Sequence, residues 1–396
     1  MHYAVPRILQ NAGMLHRLYT DACATKGLPR LLRGVAPKAF RPAPLERLLE
    51  RIPEGIPPSR ITAFTTFGLY EALRRYRINS LSEQTAHYLW TGRQFSRRIV
   101  KNSDFEGVDG VYAFKMVALE ILTEGRKHGL KTILEQPNVH RQVMHDLLRE
   151  EHCLHPGWAE PREGDRHLQG EYRREKDEWH KADLIICPSE FVKEGIRKAD
   201  GPVERATVVP YGVDFQVRDR PRQKPSRPLH VLSVGTVSLR KGVPYLLQAA
   251  GQSSARFRMV GPINLKQEGL NQLSTEVELP GKVPRSDIHR HYEWADVFVL
   301  PSICEGSATV VYEALAHALP VICTPNTGSI VRDGEGGFIV PIREAEPIVD
   351  RLDQLASNSG LYRSMSERAL TRYRQEGTIE AYGRRLVSSI NCALEA

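Results

Sequence analysis

The sequence predicts an α/β fold of two Rossmann-like domains, and three observations carry that expectation. Its 396 residues exceed what one hydrophobic core supports, so two domains of about 150–200 residues each are expected. Short apolar runs alternate with helix-spaced segments, the rhythm of repeated βαβ units and a parallel sheet. Near the middle, a stretch rich in proline, glycine and charge interrupts both patterns as an interdomain linker would.

Taken in order, the elements begin with helix-like spacing at Val5, Ile8 and Leu9, then Met14, Leu15 and Leu18. An α/β domain normally opens on a buried strand, so the expectation is that a first strand is missing, as a late start codon would leave it. Residues 1–10 lack the basic and long apolar regions of an export signal. Further along, Gly110–Tyr112 reads as a strand, Lys115–His128 as a helix and Lys131–Glu135 as a strand. A charged helix at Glu171–Lys181 then leads into a strand at Leu184–Cys187. The linker covers VVPYGVDFQVRDRP (208–221) and the polar run to Pro228, with a boundary near 210–227. Beyond it follow Leu229–Val234, Tyr245–Ala250, Phe257–Val260, Val297–Leu300, Val310–Ala316 and Pro320–Cys323, alternating strand and helix. After a helix around Leu361–Arg374, the spacing of Ile379, Tyr382, Leu386, Ile390 and Leu394 predicts a last helix free to cross to the other domain. The expected division is therefore 1–210, 211–377 and a tail at 378–396.

Composition narrows the function classes. With 41% apolar and 26% charged residues, and 30 Gly and 26 Pro scattered without period, the chain is of globular type. Its six cysteines form no CxxC pair and no short His/Cys spacing, against zinc knuckles, redox motifs and disulfide frameworks and in keeping with a reduced cytoplasm. No apolar run reaches the ~18–20 residues that a membrane-spanning helix needs. The net charge of +8 is uneven: residues 23–42 carry Lys26, Arg30, Arg33, Lys38 and Arg41 with no acid, interleaved with Leu28, Leu31, Leu32, Val35 and Phe40. This stretch reads either as a solvated basic loop or as a patch resting on anionic lipid at the inner face of a membrane. No nucleic-acid-binding module accompanies the charge, so no nucleic-acid partner is expected.

The segment richest in chemistry is PSICEGSATVVYEALAHALP (301–320), which follows a predicted strand. Small residues at Gly306, Ser307 and Ala308 let a ligand approach the backbone, and the next helix offers its first free N–H groups, including those of Thr309 and Val310, to an anion. Glu305 and Glu313 flank this place, and carboxylates accept paired sugar hydroxyls well. Each acid alone also fits a plain role, as a helix-start stabiliser or a solvated helical residue. Upstream, SVGTVSLRKG (233–242) again lies between a strand and a helix. Gly235 permits a tight turn, and Arg240 with Lys241 sets two cations at the sheet edge where open α/β sheets bind ligands. A departing diphosphate needs such cations or a metal, and this half has no DxD-like acidic cluster, so side-chain cations are expected and no metal.

Together these segments resemble glycosyltransferase family 4, retaining enzymes whose GT-B fold sets two Rossmann-like domains face to face across a cleft. The resemblance covers about residues 183–341. It rests on Glu305-x7-Glu313 within PS-x-x-EG-x-x-x-V-x-x-EA-x-A-x-x-x-P, the turn Arg240-Lys241-Gly242, the hinge Val209 to Asp214, and Ala182-Asp183 to Pro188-Ser189-Glu190-Phe191-Val192. It implies that Glu305 holds donor-sugar hydroxyls, Glu313 the ribose, and Arg240 with Lys241 the diphosphate, with Thr309 and Val310 giving backbone N–H groups to phosphate. Gly235, Thr236, Gly306 and Ser307 would line the donor, and Gly261 and Val283 the base. The sequence departs from the family at Tyr211, Thr236 and Ala308, where Asn, Arg and Gly are usual, which bears on the identity of the sugar. The glycine-rich loop usual after the first strand is not visible, and His2 lies where it would end. On the acceptor side His140 and Asn138, in LEQPNVHR after a predicted strand, are the candidates, with His145 behind them.

The expectation is a glycosyltransferase moving a sugar from a nucleoside diphosphate sugar to a hydroxyl of a saccharide or lipid-linked saccharide, as in cell-envelope polysaccharide or glycolipid synthesis. Alternatives on the same fold are an epimerase or phosphorylase, or a catalytically silent protein that binds a sugar nucleotide or a partner.

Overall fold

A computed structural model of the chain describes residues 3–35, 43–159, 166–273 and 277–395. In chain order the elements are α1 (Ala4–Asn11), β1 (Leu18–Thr20), α2 (Gly27–Val35), α3 (Ala43–Leu49), β2 (Ile61–Ala63), α4 (Thr65–Arg75), α5 (Leu81–Asn102), β3 (Gly110–Phe114), α6 (Leu119–Lys127), β4 (Lys131–Glu135), α7 (Arg141–Leu154), α8 (Leu168–Lys181), β5 (Leu184–Cys187), α9 (Glu190–Lys198) and β6 (Ala206–Val208). They continue with β7 (His230–Val234), α10 (Val243–Gln252), β8 (Arg256–Val260), α11 (Gln267–Asn271), β9 (Val277–Gly281), α12 (Ile288–Trp294), β10 (Val297–Leu300), α13 (Thr309–Ala316), β11 (Val321–Cys323), β12 (Arg332–Asp333), β13 (Gly336–Ile339), α14 (Glu346–Ser357), α15 (Ser359–Arg372) and α16 (Ile379–Glu395). The chain forms two compact units: Met1–Glu135 with Gly164–Ile185 and Gly383–Ala396, and Gln136–Glu163 with Ile186–Tyr382.

In the first unit β1 pairs in parallel with β2 over a small core of Leu15, Cys23, Ile56 and Ile61. β3 runs parallel to β4, with Tyr112 opposite Ile133. The helix expected from Lys115 begins only at Leu119, because Met116 takes a left-handed φ of 73° and turns the chain first. The N–H groups exposed by that turn are bound from another element: Glu178 on α8 accepts from Met116 at 2.7 Å, Ala118 at 3.1 Å and Leu119 at 3.3 Å. Burial pushes the Glu178 carboxyl up to about 7, against the pull of Arg174 and these N–H groups. Lys115 pairs with Glu175, and Arg174 donates to Glu120 and to the Met116 carbonyl. The charged helix of the sequence therefore buries Arg174, Glu175 and Glu178 instead of exposing them.

The second unit is built on a seven-stranded sheet of order β12-β13-β11-β10-β7-β8-β9. Its central strand β10 pairs in parallel with β11 and β7, Phe298 facing Val321 on one side and Leu232 on the other. All four β10 residues are buried, as an unbroken apolar run in a sheet covered on both faces requires. Val231, Val297, Val299, Ile322, Ile348 and Leu352 belong to its core. The preceding helix α7 is fastened to this unit: Tyr245 donates to Glu151 at 3.0 Å, and Arg343 donates to the other oxygen of Glu151 at 2.5 Å. Residues 209–228 run along the same unit, with Arg218 N–H on the Ala316 carbonyl, Arg222 N–H on the Ser366 hydroxyl, and Tyr211 edge-on to Tyr382. Among the described residues no helix is long and apolar enough to cross a membrane.

Candidate active site

The C-terminal ends of adjacent parallel strands carry the candidate site, and glycine sets their spacing. Gly235, after β7, holds φ at 144°, and its N–H donates to the Val260 carbonyl at 2.9 Å. Gly261, after β8, lies so close that a Cβ there would meet the Gly235 carbonyl at 2.0 Å. Thr236 follows the first of these turns and Val283 lies two residues past β9, so the structure brings both to this edge. A 3₁₀ turn, Leu239–Lys241, carries the two cations. The Arg240 carbonyl accepts from Ile303 N–H at 3.0 Å, which ties the turn to the loop after β10. Gly242, at φ 70°, passes under that loop where a Cβ would sit 1.9 Å from the Pro301 carbonyl.

Glu305 stands on this loop with its N–H on the Asn326 carbonyl at 3.0 Å, while the Asn326 amide holds the Ile303 carbonyl at 2.8 Å. One oxygen of its carboxylate lies 3.1 Å from Arg240 and 2.9 Å from Lys241. Lys241 is 11% exposed and Arg240 38%. Burial lowers the Lys241 pKa and the neighbouring Arg240 lowers it further, while Glu305 opposes both. Gly306 comes next, its carbonyl accepting from the Ser189 hydroxyl at 2.5 Å. A Cβ on Gly306 would meet the Pro137 carbonyl at 1.9 Å and the Asn138 Cα at 3.0 Å, so the loop after β4 lies directly on it. Ser189 is also the N-cap of α9, accepting from Val192 N–H.

Ser307 shares a hydrogen bond of 2.9 Å with the Tyr312 hydroxyl. Thr309 and Val310 open α13, so their N–H groups have no acceptor within the helix. Glu313 is buried one turn in and accepts from the Tyr292 hydroxyl at 2.9 Å. Burial raises its pKa, with the Tyr292 hydrogen bond and the charge of Arg285 working the other way. The Tyr292 hydroxyl itself is pushed well above its ordinary pKa by burial and by Glu313.

On the loop after β4, Asn138 is exposed beside Gly306, whereas His140 is fully buried as the N-cap residue of α7. His145 lies farther along α7. His2 and residues 36–42 of the basic stretch lie outside the described residues. Sequence reasoning missed Ser189 and Asn326 as supports of the Glu305–Gly306 loop, although Ser189 stood within a motif singled out above. It also missed Glu151, Tyr245 and Arg343, for which no local pattern exists. Among the described residues no group of three or more His, Cys, Asp or Glu could hold a metal ion.

Two adjacent cations can bind an anion, and the carboxylate between them can accept hydroxyls. Residues 214–372, which include all of this donor-side chemistry except Ser189, match the family model described as "Glycosyl transferases group 1". The chain is 28% identical over 230 residues to the putative colanic acid biosynthesis glycosyltransferase WcaL of Salmonella typhimurium, covering 53% of this chain and 57% of that protein. It is 24% identical over 236 residues to the lipopolysaccharide core biosynthesis glycosyltransferase LpsE of Rhizobium meliloti, covering 55% and 68%. The chain spans about half the length of the curated relatives it matches, 57% and 48% for two WcaL proteins. Among solved structures, Anabaena HepE in complex with UDP superposes with a TM-score of 0.60 at 14% identity, covering 94% of this chain and 99% of that one. The fold is therefore the α/β, two-Rossmann-like GT-B fold.

Proposed function

We propose that the chain is a retaining glycosyltransferase of family 4, moving a sugar from a nucleoside diphosphate sugar to a hydroxyl of a saccharide or lipid-linked saccharide in cell-envelope polysaccharide or glycolipid synthesis. The observation that carries this reading is the pairing of Glu305 with both Arg240 and Lys241 beside the start of α13. Two cations and two helix-start N–H groups suit a diphosphate, and an adjacent displaceable carboxylate suits sugar hydroxyls. In the transfer, the bond from the anomeric carbon to the diphosphate breaks and its electron pair stays on the diphosphate, where Arg240 and Lys241 neutralise it. The acceptor oxygen bonds the anomeric carbon on the face the diphosphate leaves, and its proton passes to the departing phosphate oxygen. Glu313 holds the ribose, Gly235 and Thr236 line the diphosphate, and Gly261 and Val283 border the base. Gly306 and Ser307 border the transferred sugar, and Asn138 presents the acceptor side, with the buried His140 behind it. The charges come from side chains and backbone, so the reading uses no metal and no cofactor beyond the donor. It supports a cytoplasmic protein, lying peripherally at the inner face of a membrane through the basic residues of 23–42, of which Arg30 is exposed on α2.

The test is release of nucleoside diphosphate from a panel of nucleoside diphosphate sugars in the presence of an acceptor extract, with Glu305→Ala and Lys241→Ala beside the wild type. Donor-specific release that both substitutions abolish supports the proposal. Absence of turnover with every donor, from folded protein, refutes it, and nucleotide binding without turnover points to a silent binding protein.

A further inference from the structure

Glu313 sits one turn into α13 and is 8% exposed, and a carboxylate placed so deeply is costly unless its lone pairs are filled. The Tyr292 hydroxyl fills one of them, 2.9 Å from Oε2. The other oxygen, Oε1, has no protein donor among the described residues. The same hydroxyl lies 3.3 Å from the Val310 carbonyl, so Tyr292 meets α13 both at its open first turn and at its carboxylate. Tyr292 is itself fully buried near the end of α12 and is gripped from behind. Its ring stacks on His317 at 5.0 Å and 23°, and Phe215 stands edge-on to both rings at 5.8 and 5.3 Å. His317 Nδ1–H donates to the Glu313 backbone carbonyl at 2.9 Å. Arg222 ties the two helices together. Its guanidinium donates to the Tyr292 carbonyl at 2.8 Å and the Glu293 carbonyl at 3.4 Å in the last turn of α12, and to the His317 carbonyl at 3.2 Å just past α13. These are carbonyls that helix ends leave without an intrahelical partner.

We propose that Tyr292 is a positioning residue that fixes the Glu313 carboxylate for the ribose hydroxyls of the donor, and that Arg222 sets Tyr292 against it. The proposal rests on the reading of Glu313 as the ribose acceptor. Burial and the neighbouring Glu313 keep the proton on the Tyr292 hydroxyl, which therefore donates to Oε2 and leaves Oε1 to accept from a ligand. A tyrosine buried for packing alone would be satisfied by the Val310 carbonyl and would need no carboxylate. The observed pairing instead holds one rotamer of a side chain with several free torsions, which is what precise presentation of an acceptor requires. Phe215 and Arg222 both belong to the stretch 208–228, which therefore braces the donor site as well as linking the chain.

Calorimetric titration of the full chain with uridine, guanosine and adenosine diphosphates identifies the nucleotide it prefers. The 2′,3′-dideoxy form of that nucleotide and inorganic pyrophosphate then serve as probes without ribose hydroxyls. The wild type is expected to bind the ribonucleotide at least about tenfold tighter than the dideoxy form. Tyr292→Phe, which keeps the ring and removes the hydroxyl, weakens the ribonucleotide by about five- to tenfold and leaves the dideoxy form and pyrophosphate within about twofold. Arg222→Lys, which keeps the charge and loses the fork that spans two helices, weakens the ribonucleotide in the same selective way by about threefold. On a Glu313→Gln background, Tyr292→Phe adds less than about twofold. Thermal melting shows that each variant is folded, and if Tyr292→Phe is not, Arg222→Lys decides by the same criterion. Equal losses on the ribose and dideoxy forms, or full ribose selectivity in Tyr292→Phe, overturn the proposal while the transferase reading stands. Failure of the wild type to bind any of the diphosphates, or to distinguish the two sugars, overturns the reading of Glu313 and this proposal with it.

Discussion

Replacing Lys241 by alanine gives the most discriminating test of the site's electrostatics. Lys241 and Arg240 approach the same Glu305 oxygen at similar distances, 2.9 and 3.1 Å, but only Lys241 is withdrawn from solvent. A charge interaction in the drier environment is screened less, so the two cations are unequal despite their symmetry about Glu305. Loss of a preorganised group facing developing charge costs about 3–4 kcal/mol, so Lys241→Ala should lower kcat by about 10²–10³-fold. Arg240→Ala, at an exposed position, should lose a charge-assisted hydrogen bond of about 1.5 kcal/mol, or about tenfold. The assay is steady-state release of nucleoside diphosphate, with kcat and KM separated. Because burial lowers the Lys241 pKa, its proton and the activity it supports are lost on an alkaline limb below the ordinary lysine range. Lys241→Arg moves that limb upward. An Arg240→Ala loss greater than that of Lys241→Ala, or a limb insensitive to Lys241→Arg, refutes the reasoning.

Gly306→Ala should lower the melting transition and cut turnover by about 10²-fold, because the new methyl collides with the Pro137 carbonyl and misplaces the Glu305 loop. Ser189→Ala, which frees the Gly306 carbonyl from its 2.5 Å hydrogen bond, should lower turnover more mildly, by about tenfold in kcat/KM. Glu178 has a folded pKa raised to about 7, so the native state holds a proton that the unfolded state releases. Its contribution is present below the ordinary glutamate value and is lost as pH rises to about 7. Denaturant titrations should show Glu178→Gln flattening the pH dependence across that window, and an unchanged slope would contradict the assignment. Glu151→Ala leaves Arg343 and Tyr245 without their shared acceptor and should lower stability by about 3–5 kcal/mol, measured by chemical denaturation.

What was legible in the sequence was local. The unbroken run Val297–Leu300 reads as a covered strand because its burial is complete on both faces, and the glycines at 235, 242 and 306 sit where backbones nearly touch. Glu305, Arg240 and Lys241 could be singled out because each follows a strand end, where parallel sheets gather ligands. What was illegible depended on partners distant in sequence. Glu175 and Glu178 look like a solvated face until Lys115 and the turn at Met116, about sixty residues earlier, are placed beside them. Glu151 meets Arg343 across 192 positions, and no periodicity spans such a gap. The α4–α5 region gave no signal because its aromatic cluster mixes with exposed leucine and tyrosine, so neither a helical nor a strand period emerges.

The division of the chain into units has a consequence for anyone who would cut it. The first unit is assembled from three stretches and the second from two, so the polypeptide passes from one to the other four times. The last passage falls inside α16, whose opening residues belong with Tyr211 and Val213 and whose remainder belongs with Ile8 and Gly110. A gene fragment ending anywhere near the middle of the sequence therefore encodes neither unit whole. Deleting residues 383–396 would remove one of the three stretches from which the first unit is assembled.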